Sequence, residues 1–185
     1  MNDALDFVHL SLGNIILQRR DVTLLACKQR AKFEGWLKFE LAAVLASDNQ
    51  YSQVTLEDNY QTRGRADISF KHQNIKWYVE MKTANTNWRA DGLENITRPI
   101  ARNADGIIDD IEVLKVKCPP DKGTAVFVIF PVPVRIWDDE PEKLTYHLHR
   151  IEEGTGMTKG TLLSNADFME ITDNFGMCSF VVEVV

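Results

Sequence analysis

RADISFKHQNIKWYVEMKT, residues 65–83, decides how this chain is read. It divides into two short alternating runs around His72-Gln73-Asn74-Ile75, the segment available for a turn. Residues two apart on a strand project to the same face, so Glu80 and Lys82 share a face with Tyr78. Trp77, Val79 and Met81 form the opposite, apolar face, the alternation of a half-covered strand. With Gln73 and Asn74 at the centre of a hairpin, His72 falls opposite Ile75, Phe70 opposite Trp77, and Asp67 opposite Glu80. Directly opposed residues have Cβ atoms about 4.5–5.5 Å apart. Two unpaired carboxylates at that range repel, and one takes up a proton unless a cation is shared between them. A divalent metal between Asp67 and Glu80, with Lys82 aimed at a reacting phosphate, makes chemical sense of the group. An ordinary cross-strand ion pair on an exposed hairpin accounts for the same residues less specifically.

The preceding segment adds a carboxylate. From Lys28 to about Ser47 there is no proline and the single glycine is Gly35, while Phe33, Leu37, Leu41, Val44 and Leu45 recur at helical spacing. At about 100° per residue, Glu40 falls inside this apolar stripe between Trp36 and Phe33. Glu34 falls near the other margin, beside Leu41 and Leu45. A glutamate on a core-facing side needs a partner, because burying an unpaired charge is strongly unfavourable. Glu40 is therefore preferred, and Glu34 is the alternative, as a third carboxylate able to reach a metal.

These residues together resemble the PD-(D/E)XK nuclease superfamily, with its restriction-endonuclease-like fold. The resembling pieces are Glu34-Gly35-Trp36-Leu37-Lys38-Phe39-Glu40-Leu41 on a helix, Arg65-Ala66-Asp67-Ile68 opening a strand, and Val79-Glu80-Met81-Lys82-Thr83 closing the next. Ala66 stands where the family pattern has proline, a position loosely held there. The resemblance implies an α/β protein with a central mixed sheet flanked by helices. It also implies magnesium, or manganese in its place, on Asp67 and Glu80. Lys82 would orient the attacking water or stabilise the transition state, and Glu40 or Glu34 would complete the site. The implied activity is metal-dependent hydrolysis of phosphodiester bonds in DNA. A nuclease-fold module without catalysis, binding nucleic acid or a protein partner, is the second reading.

Composition is consistent with one domain over residues 1–185. With 185 residues and 44% hydrophobic content the chain is long enough for a substantial core. Its expected organisation is N-terminal helices over 3–47, a core with the hairpin over 53–131, and an extension over 132–185. Gln53–Tyr60 reads as a strand, 84–99 as a loop, and Ala101, Ala104, Ile107, Ile108, Ile111 and Leu114 as a helix ending at Cys118-Pro119-Pro120-Asp121. Thr124–Phe130 is an apolar run of strand length, so that helix suits a crossover between two strands. Glu140–Glu153 reads as helical, and Met169–Thr172 and Ser179–Val184 as strands joined by a turn. No apolar run has transmembrane length, and Asp3 and Asp6 argue against a signal peptide, so a cytoplasmic protein is expected. Cys27, Cys118 and Cys178 lack paired spacing and read as reduced thiols.

Charge weighs against a nucleic-acid partner. The formal net charge is −6, and the resulting field repels phosphate. Local cations offset this: Arg63 and Arg65 border Asp67, Arg89, Arg98 and Arg102 follow the site, and Lys28, Arg30, Lys32 and Lys38 gather on the first core helix. Arg63, Arg65, Trp88 and Arg89 are the candidate substrate contacts. Partner-assisted or structure-selective cleavage fits the acidity better than tight autonomous duplex binding, and a homodimer is compatible with the reading. Asp109 and Asp110 read as a solvated helix face, His147 and His149 as exposed histidines turned apart by a helix, and Trp36 and Trp77 as core aromatics.

Overall fold

In a computed structural model, which describes residues 3–61, 63–94 and 100–184, the chain is an α/β protein built on a six-stranded mixed sheet flanked by helices. Helices α1 (Asp3–Gln18), α2 (Arg20–Gln29) and α3 (Glu34–Ser47) come first. Strands β1 (Tyr51–Asn59), β2 (Arg65–His72) and β3 (Ile75–Asn85) follow as an antiparallel meander. Helix α4 (Ile100–Lys117) then crosses to β4 (Lys122–Pro133), which lies parallel to β3. Helices α5 (Val134–Asp138), α6 (Pro141–Thr155) and α7 (Thr161–Ser164) lead to the closing hairpin of β5 (Asp167–Thr172) and β6 (Phe175–Val184). The strand order is β1-β2-β3-β4-β6-β5.

The central hairpin has the register its spacing implies. Phe70 pairs with Trp77 and His72 with Ile75, around Gln73 and Asn74 at φ 50° and 65°. Two consecutive left-handed residues are what a two-residue hairpin turn needs to match the twist of its strands. Apolar layers cover both faces of the sheet. Ile68, Phe70, Trp77, Val79 and Met81 pack with the residues of α1 and α3 on one side. Tyr78, Ala84, Ala125, Phe127 and Ile129 pack with those of α4 and α6 on the other. The face of β3 carrying Glu80 and Lys82 is therefore covered rather than solvated, contrary to the half-covered strand expected from alternation.

The single helix expected over 28–47 is broken. Arg30 takes a left-handed conformation (φ 49°, ψ 35°) and ends α2, and α3 starts at Glu34. The cause lies outside the helix: Arg30, 4% exposed, is drawn under the loop segment that follows β3. There it donates to the carbonyl oxygens of Thr86, Trp88 and Glu94. It is not a surface cation of the core helix. Strand β3 also runs to Asn85, beyond the expected start of the loop, and residues 95–99 of that loop, Arg98 included, lie outside the described residues. The three cysteines are free and buried. Among the described residues no helix is long and apolar enough to cross a membrane.

Candidate active site

Strands β2 and β3 part company halfway along. Their pairing ends at Ile68 opposite Val79, short of the expected Asp67–Glu80 pair, and beyond it β3 continues for six residues, to Asn85, without its β2 neighbour. Backbone N–H groups left without a ladder partner must be satisfied in another way. Asp67 does this for Met81, whose N–H donates to Oδ2 at 2.8 Å. Glu34, from the first turn of α3, does it for Thr83, accepting its N–H at 2.9 Å. Two carboxylates thus stand where strand would otherwise be, and the sheet is open between them.

The titratable groups converge on this opening. The Asp67 charge bears on Glu80, and Glu80 accepts the Tyr60 hydroxyl from the residue that follows β1. Burial pushes the Glu80 carboxyl up to about 8; the Tyr60 hydrogen bond opposes this, while Asp67 and Asp110 add to it. Lys82, two residues along, pairs with Asp110 of α4 at 2.7 Å. Burial disfavours its charge, but Asp110, Glu34 and Glu80 outweigh burial and hold the ammonium above its ordinary range. Burial raises the Asp110 carboxyl in turn, against the pull of Lys82.

The helix carboxylate that reaches β3 is Glu34, not Glu40. Glu40 accepts the Trp36 indole N–H at 2.9 Å and lies 3.6 Å from Arg19, turned toward the α1–α2 junction. Both glutamates border the apolar stripe of α3, and docking chose the margin carrying Glu34 and, one turn on, Lys38. Lys38 sits between Glu57 of β1 and Asp67, 3.2 Å from Asp67 Oδ1. Burial works against its charge, but hydrogen bonds to Glu57 and Asp67 outweigh that and raise its pKa.

Asp110 is not the solvated residue its sequence context suggests. Asn103, Gly106 and Asp110 recur at helical spacing along the margin of α4 that faces β3. Asn103 donates to the backbone and side-chain oxygens of Asn85, at 2.7 and 2.8 Å. Gly106 leaves room for the stem of Lys82, since a Cβ there would stand 3.3 Å from Cε. That polar stripe was the available signal for Asp110. Lys38 was signalled only by its one-turn spacing from Glu34, and Tyr60 by nothing local.

The candidate substrate contacts divide. Arg63 and Arg65 are exposed beside Asp67. Trp88 is half-buried against the α4 and α6 core, 6.1 Å from the His147 ring, and its carbonyl holds Arg30. Arg89 is exposed and lines a cleft of about 740 Å³ with Asp91, Arg135 and Asp139. His147 and His149 lie on α6, where burial and then Arg150 lower the His147 pKa.

Comparison with protein-family models, with curated proteins and with solved structures finds no match. The chemistry of the site therefore rests on its own geometry. Among the described residues no group of three or more histidine, cysteine, aspartate and glutamate side chains is placed to hold a metal ion. Asp67 and Glu80 are a pair, which matches an ion that takes one or two protein carboxylates and completes its shell with water and phosphate oxygens.

Glu80 makes metal-free stability depend on pH. Its folded pKa lies above the ordinary 4.5, so the folded chain binds more protons than the unfolded chain between about 4.5 and about 8. Its contribution is complete below the lower value and is lost as pH rises through the upper one. The melting temperature of metal-free protein is therefore expected to fall from pH 5 to pH 8.5 more steeply in the wild type than in Glu80→Gln. Gln mimics the protonated side chain at every pH, so parallel melting profiles would remove Glu80 as the group responsible.

Proposed function

We propose that this chain is a metal-dependent nuclease with a restriction-endonuclease-like core, hydrolysing phosphodiester bonds in DNA. One observation carries the reading: where β2 leaves β3, Asp67 reaches across to the N–H of Met81, the residue between Glu80 and Lys82 on the strand. Carboxylates for a cation next to a fixed positive charge are what a pentacoordinate, doubly negative phosphate needs around it.

Asp67 and Glu80 would hold magnesium, or manganese in its place. When bound, the ion supplies a Lewis acid and a water of lowered pKa. The remaining work falls to the chain. Lys82 places positive charge beside a non-bridging oxygen or the attacking water. Asp110 keeps that ammonium charged and fixed over the opening. Tyr60 engages Glu80 through Oε1 and so fixes the carboxylate's orientation. Glu34 holds the backbone of β3 at Thr83, so the strand keeps its course past the site. Arg63 and Arg65 stand exposed at the rim, where flanking phosphates would meet them, which offsets locally the formal charge of −6.

The test is cleavage of single-stranded, duplex and branched DNA with and without magnesium or manganese. Cleavage that requires the metal, and is lost in Asp67→Asn, is the expected result.

A second reading has its own observation. Protein donors already engage the acidic groups: Lys38 and the Met81 N–H on Asp67, Tyr60 on Glu80, the Thr83 N–H on Glu34. A carboxylate cluster satisfied in this way suits a nuclease-fold module that binds nucleic acid or a protein partner without catalysis. Calorimetric titration separates the two, since the module would show no heat of binding with either metal and no difference between wild type and Asp67→Asn.

A further inference from the structure

We propose that Lys38 and Glu57 form a cation exchange built into the site: Lys38 neutralises Asp67 while no metal is bound, and withdraws onto Glu57 when a divalent ion takes Asp67. The inference rests on the reading that Asp67 and Glu80 hold the metal, and adds two residues to it.

The geometry begins with β1. Glu57 lies between the pairs Leu56–Ile68 and Asp58–Ala66, hence directly across from Asp67. Asp67 in turn reaches β3 beside Glu80, accepting the Met81 N–H, so carboxylate-bearing residues stand on β1, β2 and β3 in turn. Opposed like charges destabilise a sheet, and a cation sits between the first two carboxylates. That cation is Lys38, carried over the strands by α3 one turn after Glu34. Its side chain is 14% exposed, so its ammonium is held in place rather than waving in solvent.

Asp67 has two oxygens, and both are engaged. Oδ2 accepts the Met81 N–H, a contact that belongs to the strand, and Oδ1 faces Lys38. A divalent ion and an ammonium at the same carboxylate repel, so a cation held by Asp67 would displace Lys38. The displaced ammonium has a second carboxylate ready. Lys38 already touches Glu57, whose side chain is 46% exposed on an edge strand and can follow it outward. Glu57 is also held at φ 53°, a left-handed conformation uncommon outside glycine, at the point where its carboxylate meets Lys38. Lys38 thus competes with the metal for Asp67, and Glu57 competes with Asp67 for Lys38.

Calorimetric titration of manganese chloride into the wild type, Lys38→Met, Glu57→Gln and the double variant tests this. Lys38→Met should bind manganese about tenfold more tightly and Glu57→Gln about tenfold more weakly, a coupling of ordinary size. In the Lys38→Met background Glu57→Gln should change nothing, because Glu57 acts only through Lys38. A general field effect predicts the same weakening in both backgrounds, and that additivity overturns the exchange. Weaker binding by Lys38→Met overturns it as well. Lys38→Gln serves in place of Lys38→Met if thermal unfolding shows the methionine variant misfolded. Absence of manganese binding by every protein, the wild type included, overturns the metal reading of Asp67 and Glu80 itself and takes the exchange with it.

Discussion

Lys82→Ala is expected to lower metal-dependent DNA cleavage by on the order of 10²–10³, the loss seen when one preorganised charge or donor to a transition state is removed. The ammonium is the positive group fixed by Asp110 over the β2–β3 opening, and the alanine methyl cannot replace it. The fold should survive. Lys82 and Asp110 have side chains 26% and 28% exposed, so the carboxylate left behind can take up a proton or meet water. Steady-state cleavage and a melting curve on the same preparation separate the two effects. Undiminished cleavage by Lys82→Ala on purified DNA would sink its catalytic assignment. A large drop in melting temperature would instead make it a structural residue.

The largest stability loss is expected at Arg30→Met. Arg30 is 4% exposed and its guanidinium donates to three main-chain carbonyls of the segment after β3, while Asn85 Nδ2 donates back to the Arg30 carbonyl at 3.1 Å. Methionine fills much of the volume but satisfies none of the three acceptors. Each buried acceptor left unpaired costs about 1–3 kcal/mol, so a total of about 3 kcal/mol is a modest expectation. For a chain of this size that corresponds to a fall of about 6–12 °C in melting temperature. Limited proteolysis should show new cleavage near Trp88, since Arg30 pins that segment to the α2–α3 junction. A shift under about 2 °C would mean that water replaces the guanidinium.

Much of the fold could be read along the chain because its signals are local. Alternation set the strands of the 65–83 hairpin, and its register followed from which two residues could make the turn. Helix α4 declared itself through Ala104, Ile107, Ile111 and Leu114, and the apolar run into β4 made a parallel crossover the natural connection. The break at Arg30 was hidden, because its cause is a loop some sixty residues away that captures the side chain. Asp110 was hidden for a related reason. On the sequence it lies at the margin of a helix, and nothing there says that a lysine of β3 will face that margin.

What the sequence by itself determined is the hairpin that carries the proposed nucleus of the site, Asp67, Glu80 and Lys82, because its register follows from strand periodicity and a two-residue turn. Those rules act between neighbours along a backbone, so they need no knowledge of the rest of the chain. The tertiary structure decided which groups surround that nucleus. An amphipathic helix has two polar margins, and its own periodicity treats them alike. Only the rotation at which α3 docks on the sheet sends Glu34 and Lys38 to the opening and leaves Glu40 with Trp36 and Arg19. The same holds for α4 and Asp110, because helix rotation is set by packing against the whole sheet and not by the residues that carry the chemistry.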